Sequence, residues 1–340
     1  MVNVGIIGLG FMGVTHFKGY KNISDARIVA VADSIEKRLT GDWRDIKGNI
    51  GEAGGIQDLS GIATYKEMDR LLADPAVELV DICLPTSAHR DVTIRALQAG
   101  KHVICEKPMA VSLKDADAML AAAKKARRHL FIAQVLRFVP EFAYVGEAIA
   151  DGRYGKLRGA HFKRVISLPD WLSGDWLKHA KLSGGPMLDL HVHDSDFIAH
   201  TLGMPKRVTS QGIVSGGVVT YVVTQYSFGT KNRVITAQSG AVASKGLCFE
   251  HGFDVYFEHG TLQHNSKAGL PLTLWKEDGG SEKIDLAGRE DGYVAELRHA
   301  VDVVAGRAPK NRLSGVSARN GLWLCLAEAQ SARAGKTVAV

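Results

Sequence analysis

Closely spaced cysteines are missing from this chain: Cys83, Cys105, Cys248 and Cys325 stand far apart and none forms a CxxC pair. That removes the usual framework of a disulfide-stapled module or a zinc ribbon, and leaves four small apolar residues in a reducing compartment. Missing too is any unbroken apolar run of the roughly 18 to 20 residues that would span a bilayer. The opening stretch MVNVGIIGLGFMG carries no basic leader or small-residue cleavage site, so a cytoplasmic location is expected. Charge of one sign is not concentrated either. The 42 basic and 36 acidic residues, for a net +6, are spread along the chain, and the densest knot is KKARRH at Lys124 to His129. Nucleic acid would require a denser stripe or a reading motif, so no nucleic-acid partner is expected, only a mild attraction for anionic ligands. No membrane partner is expected.

What is present is enough apolar material for two cores. With 340 residues, 46% hydrophobic and 23% charged, the chain reads as a globular protein too long for one typical domain. The boundary is expected near residue 134, giving blocks 1–134 and 135–340.

The first block opens with VNVGIIGLG, a short strand pattern that runs into glycines, followed by FMGVTHFKGY as a helix start. Gly8, Gly10 and Gly13 therefore fall at a strand-to-helix turn, the context that a dinucleotide fingerprint requires. Gly8 permits the tight turn, Gly10 lets the backbone approach a pyrophosphate, and Gly13 lets the helix pack on the strand. The phosphate charge then meets the unpaired N–H groups of the helix start. A second strand, ARIVAVAD, ends at Asp33, where a carboxylate can accept from ribose hydroxyls and repel a 2′-phosphate. NAD is expected over NADP, with Lys37 and Arg38 able to soften the choice. Helix and strand patterns then alternate: YKEMDRLLAD, VELVDICLP, HRDVTIRALQAG, KHVICEKP, LKDADAMLAAAKKARRH and LFIAQV. Such β-α repeats predict an α/β fold with a doubly wound parallel sheet. Its ligand crevice lies outside the C-terminal strand ends, where Gly8, Asp33, Pro85 and Lys107 fall.

AGKHVICEKPMA, with ICLPTSAH upstream and the glycine fingerprint before it, resembles the glucose-fructose oxidoreductase and inositol dehydrogenase family. RFVPEF, GRYGKL and GGPMLDLHVHDSD extend the resemblance over nearly the whole chain, with HDSD leaning toward inositol dehydrogenases. Pro186, where a third glycine is common, and the added His191 depart from the pattern. The resemblance implies an N-terminal Rossmann domain followed by an α+β domain with a large open, mostly antiparallel sheet, used for homodimer or homotetramer contacts. It implies a catalytic set of Lys107, Asp189 and His193, and a polyol, cyclitol or sugar as substrate. Cofactor contacts are expected from Gly8, Gly10, Phe11, Met12, Gly13, Asp33, Ser34, Arg38, Leu84, Pro85, Thr86, His89, Glu106 and Lys107. Arg137 and Trp176 join the catalytic residues as expected substrate contacts.

Chemistry gives those positions independent reasons. Lys107 ends a strand at the crevice, so its ammonium can stabilise an oxygen that becomes alkoxide-like. Its bland alternative is a surface lysine near a turn. PMLDLHVHDSDFIAHTLG reads as a helix with Pro186 at its start and Gly203 past its end, which puts Asp189 and His193 on one face. His193 is then a general base supported by Asp189, or else a hydrogen-bonded core histidine. His191 and His193 point to nearly opposite sides and no further ligand pair accompanies them, so no metal is expected. His191 and His200 read as structural or rim residues, and Asp194 as a possible substrate contact. Downstream, LRGAHFKRVIS, VTYVVTQYSF, RVITAQSGA and GFDVYFEHGTLQHN follow one another without helices, as in an antiparallel sheet, with Val219, Tyr221 and Val223 expected on one face. GYVAELRHAVDVVAG and VSARNGLWLCLAEAQSARAG read as closing helices. Trp171 and Trp176 are candidates to wall a sugar-sized pocket.

The reading expected is an NAD(P)-dependent dehydrogenase. Its rivals are a nicotinamide-binding regulator or sensor without turnover and an NADP-preferring sugar reductase on the same fold.

Overall fold

In the computed structural model, residues 1–48, 54–167, 183–247 and 249–340 are described. Trp171, Trp176 and Cys248 lie outside them. The chain divides into two compact units, one of residues 1–138 with 290–319 and one of 139–289 with 320–340.

The first unit alternates strands and helices in the expected rhythm: β1 (Val2–Ile7), α1 (Phe11–Tyr20), β2 (Ala26–Ala32), β3 (Ala63–Tyr65), α2 (Met68–Ala73), β4 (Leu79–Ile82), α3 (Thr86–Gln98), β5 (His102–Glu106), α4 (Leu113–Ala126) and β6 (Leu130–Ala133). All pairings are parallel, in the order β3-β2-β1-β4-β5-β6. That order reverses direction at β1, and ligands of such sheets bind beside the reversal. The strands carry no alternation because both faces are covered: all four residues of β4 and of β6 are buried. One expectation is corrected here. YKEMDRLLAD is not a single helix, because Ala63–Tyr65 pair with Ala30, Val31 and Ala32 and leave only Met68–Ala73 helical.

The second unit starts with α5 (Pro140–Asp151), which has proline in its first turn and Gly152 in the left-handed conformation at its end. There follow β7 (Leu157–Ser167), a π-helical turn at Met187–His191 that continues as α6 (Val192–Leu202), and then β8 (Arg207–Ser215), β9 (Val218–Ser227), β10 (Val234–Ala243), β11 (Glu250–Phe257), β12 (Gly260–Asn265), β13 (Leu270–Trp275) and β14 (Ser281–Lys283). With the terminal β15 (Val338–Ala339) these strands make a nine-stranded sheet, β14-β13-β12-β11-β7-β10-β9-β8-β15. It is antiparallel except for β7 beside β10. Its covered face is aromatic: Phe142 of α5 meets Phe197 of α6 edge-on at 5.3 Å and Phe253 of β11 at 5.0 Å.

α7 (Gly292–Val304) belongs to the first unit, where Leu297, Ala300 and Val301 join Phe17 and Tyr20 in one core. By sequence alone this helix falls in the second block, 135–340. α8 (Gly315–Ala334) closes the chain before β15. A second correction concerns β9. Register shifts between Ile213/Val214 and the partners Tyr221/Val219, so Val219, Val222, Thr224 and Tyr226 are buried while Val223 is 39% exposed. A β-bulge of this kind flips the faces.

His251 of β11 lies among Phe249, Phe142 and His264. Burial, reinforced by the Arg164 guanidinium, pushes its imidazole down to about 4. An unfolded histidine titrates near ~6.5, so between those values the unfolded chain binds the proton and the folded chain does not. Stability therefore falls as pH drops from about 6.5 toward 4. Replacing His251→Phe should lessen the fall in melting temperature between pH 7 and pH 5, measured by calorimetry, and an undiminished fall would refute this assignment.

Candidate functional site

The first turn of the fold is built by omission of side chains. Gly8 has φ +93°, and a Cβ there would stand 2.6 Å from the Cys83 carbonyl. A Cβ on Gly13 would stand 1.9 Å from the carbonyl oxygen of Gly8. At Gly10, by contrast, a Cβ meets nothing within 4 Å. The N-terminus of α1 has no side-chain cap, so its N–H groups and the open space over Gly10 form a cradle for an anion. These residues fit a dinucleotide pyrophosphate.

Asp33 closes the same corner. Its Oδ2 accepts the Leu9 amide at 2.7 Å and the Arg38 guanidinium at 3.2 Å, while its Oδ1 accepts the Ile35 amide at 2.8 Å. The carboxylate thus holds the glycine turn, and the facing cation lessens its charge. Of the other expected cofactor contacts, Phe11, Met12, Leu84 and Thr86 are half-buried, and Ser34 and Pro85 are exposed.

His89 behaves differently from the expectation of a cofactor contact. It is 1% exposed, with Nδ1 2.9 Å from the Pro108 carbonyl and Nε2 2.8 Å from the Leu84 carbonyl. Its ring ties together the loops after β4 and β5 rather than standing free to meet a ligand. Arg137 is likewise 1% exposed. It donates to the Arg312 carbonyl, and Arg312 returns a bond to the Arg137 carbonyl, so this guanidinium is an internal clamp and not the open substrate contact expected.

Lys107 follows β5 and precedes a cis peptide bond to Pro108. Its amide donates to Glu106 Oε2 at 3.0 Å. The other oxygen of Glu106 lies 3.1 Å from His16 Nε2, and His16 Nδ1 lies 2.9 Å from Asp81 Oδ2. Burial opposes a charge on this imidazole, but the Asp81 carboxylate prevails and its pKa is raised well above the ordinary value. Cys83 donates to the far oxygen of Asp81 at 3.3 Å. Close by, burial pushes the pKa of the Glu296 carboxyl of α7 well above the ordinary carboxylate range. The sequence reading missed His16, Asp81 and Glu296. A carboxylate inside the apolar strand LVDI was the available signal, because a buried charge demands a partner.

In the second unit, Asp189 lies in the π turn and His193 at the start of α6, and both are partly accessible. The turn was expected to be plain α-helix. His191 and Asp194, on the same segment, are 0% exposed. Asp194 accepts Arg164 Nε at 3.1 Å and the Ser239 hydroxyl at 3.0 Å, which corrects the expectation of a substrate contact there.

Comparison with known proteins follows the same division. Residues 2–134 match a model described as an oxidoreductase family with an NAD-binding Rossmann fold, and residues 142–263 match the GFO/IDH/MocA C-terminal domain. The chain is 29% identical to the myo-inositol 2-dehydrogenase of Thermotoga maritima, over 99% of this chain and 98% of that protein. It is 31% identical to the 1,5-anhydro-D-fructose reductase of Ensifer adhaerens, over 69% of this chain and 72% of that protein. The crystal structure of a probable dehydrogenase from Thermotoga maritima superposes with a TM-score of 0.79, at 27% identity over 99% of this chain and 98% of that one.

The glycine geometry separates folding from binding. Gly10→Ala should keep the parent melting temperature within about 2 °C yet weaken NADH binding at least tenfold in a fluorescence titration, since its methyl enters the cradle. Gly13→Ala should lose the fold of the first unit along with binding. Equal behaviour of the two variants would contradict the assignment.

Proposed function

We propose, on the premise that this chain belongs to the GFO/IDH/MocA oxidoreductase family, that it is an NAD-dependent dehydrogenase acting on a secondary hydroxyl of a polyol, cyclitol or sugar, or on the matching ketone. A bound nicotinamide supplies the hydride chemistry. The protein's own residues handle the proton and the oxygen charge. His193 exchanges the hydroxyl proton, Asp189 supports the imidazole, and Lys107 stabilises the reacting oxygen as it gains negative charge.

The observation that carries this reading is the partition of one helical segment. Asp189 and His193 are half-buried and keep part of their surface exposed, while His191 and Asp194, two and five positions beyond Asp189, are sealed. A histidine that must meet a substrate and one that must hold a fold are thereby separated. The substrate class is supported by the cyclitol and the anhydrosugar in the names of the two curated relatives. The preference for NAD is supported by Asp33, and its softness by Arg38 at 3.2 Å, which can neutralise the acid or accompany a 2′-phosphate. A homo-oligomer is supported by exposed apolar side chains on the open sheet, among them Ile213, Val223, Val234, Tyr256 and Trp275.

A screen of cyclitols, polyols and sugars, followed by the absorbance of reduced nicotinamide, should find a substrate. His193→Ala should then lower kcat by about 10² to 10⁴ while NADH binding stays within twofold; parent-like turnover in that variant would remove the assigned base. NAD should bind at least about tenfold more tightly than NADP, a difference of ~1.4 kcal/mol, and Arg38→Ala should widen that ratio. A ratio unchanged by the variant would exclude Arg38 from cofactor choice.

A further inference from the structure

Beneath the accessible face of the Asp189–His193 segment lies a closed set of charges. Glu328 of α8 is 0% exposed. Its Oε1 accepts the Ser195 hydroxyl at 2.9 Å, and its Oε2 accepts Tyr226 at 3.1 Å, Thr224 at 3.3 Å and a short hydrogen bond from His191 Nε2. On the other side of the ring, His191 Nδ1 lies 2.6 Å from the Ser239 hydroxyl. That hydroxyl donates its one proton to Asp194 Oδ2, so toward His191 it can only accept. His191 faces an acceptor at each nitrogen and must donate from both. It is an imidazolium, a state that burial opposes and the Glu328 carboxylate favours. Asp194 is in turn held by Nε of Arg164 at 3.1 Å and by its terminal nitrogen at 3.3 Å.

The chain Glu328–His191–Ser239–Asp194–Arg164 therefore contains two anions and two cations, all sealed from solvent. Its members come from α8, the π turn, β10, α6 and β7. Two of them, His191 and Asp194, interleave in sequence with Asp189 and His193 on the same helical segment. The Ser195 hydroxyl also lies 3.1 Å from the His191 carbonyl, beside the π turn. A buried ion pair is poor evidence for stability, since apolar residues often serve as well, and its best-attested use is to fix register. A π turn is a rare register, used mostly as a single turn within a helix and frequently at functional sites.

We propose that Glu328 and His191 are positioning residues: their buried pair holds the π turn, and so sets how Asp189 and His193 are presented. This rests on the acid–base roles proposed above for those two residues. The test is Glu328→Gln, which keeps shape and removes charge, with Ser239→Ala as a second variant that cuts the bridge while leaving both ions. The expected result is a kcat lowered at least about tenfold with KM changed less than threefold, NADH binding within twofold, and a displaced ¹³Cε1 resonance of His193, identified by its loss in His193→Gln. The double variant Glu328→Gln with His191→Gln, a neutral hydrogen-bonding pair, should recover part of the kcat. Variants with a lowered melting temperature but parental kcat and an unmoved His193 resonance would overturn the proposal. If the parent turns over no polyol, the dehydrogenase reading fails by itself; the His193 resonance then decides the positioning role, displaced in its favour and unmoved against it.

Discussion

The carbonyl of Gly8 occupies the place where any side chain at position 13 would have to stand, 1.9 Å from its Cβ. Only because that methyl is missing can α1 begin so close to β1, with its bare N–H groups at the strand ends. The consequences extend along the helix. His16, three residues past Gly13, reaches Asp81 on β4 and Glu106 on β5 from its position on α1. Glu106 then takes the amide of Lys107. Asp33 fixes the turn from the other side through the Leu9 amide. The open glycine turn, the carboxylate of Asp33 and the loop that carries Lys107 thus share one geometric origin.

Each unit also hides charge beneath the residues assigned to chemistry. In the first, the His16 imidazole lies between two carboxylates with the buried Glu296 carboxyl beside them. In the second, two ion pairs are joined through a serine. Such groups lose hydration on burial, and the attraction between them mainly offsets that loss. What they contribute is direction, because hydrogen bonds between fixed donors and acceptors tolerate little rotation. Apolar packing alone, as around Phe142, Phe197 and Phe253, leaves more freedom to slide.

Much of the fold was legible because period and punctuation agree. LRGAHFKRVIS coincides with β7, the glycines at 8, 10 and 13 mark a strand-to-helix turn, and Gly203 lies just past α6. Three features escaped for physical reasons. The pairing of β7 with β10 depends on contacts across about seventy residues, which no local pattern encodes. The bulge in β8 and β9 moves Val223 to the exposed face, although simple alternation would place it with Val219. The affiliation of α7 is set by what its apolar stripe meets, not by the stripe. At the site, the glycine turn between β1 and α1 was readable from spacing. The roles of His89 and Arg137 were not, since a side chain that bonds to backbone carbonyls has the same letters as one that meets a ligand.

The first unit is discontinuous, and this bears on how the chain is made. Residues 2–133 supply every strand of its sheet, yet Leu297, Ala300, Val301 and Leu313 lie in its core. On the ribosome, that sheet is complete long before its last apolar partners emerge, and at ~5 to 20 residues per second the interval lasts on the order of ten seconds or more. Throughout it, the surface that α7 will cover on Phe17 and Tyr20 faces water. Eight of the nine strands of the second-unit sheet, all but β15, are synthesised in the meantime, so the nascent protein carries an open hydrophobic seam during the stage when association with other chains or chaperones is most favoured.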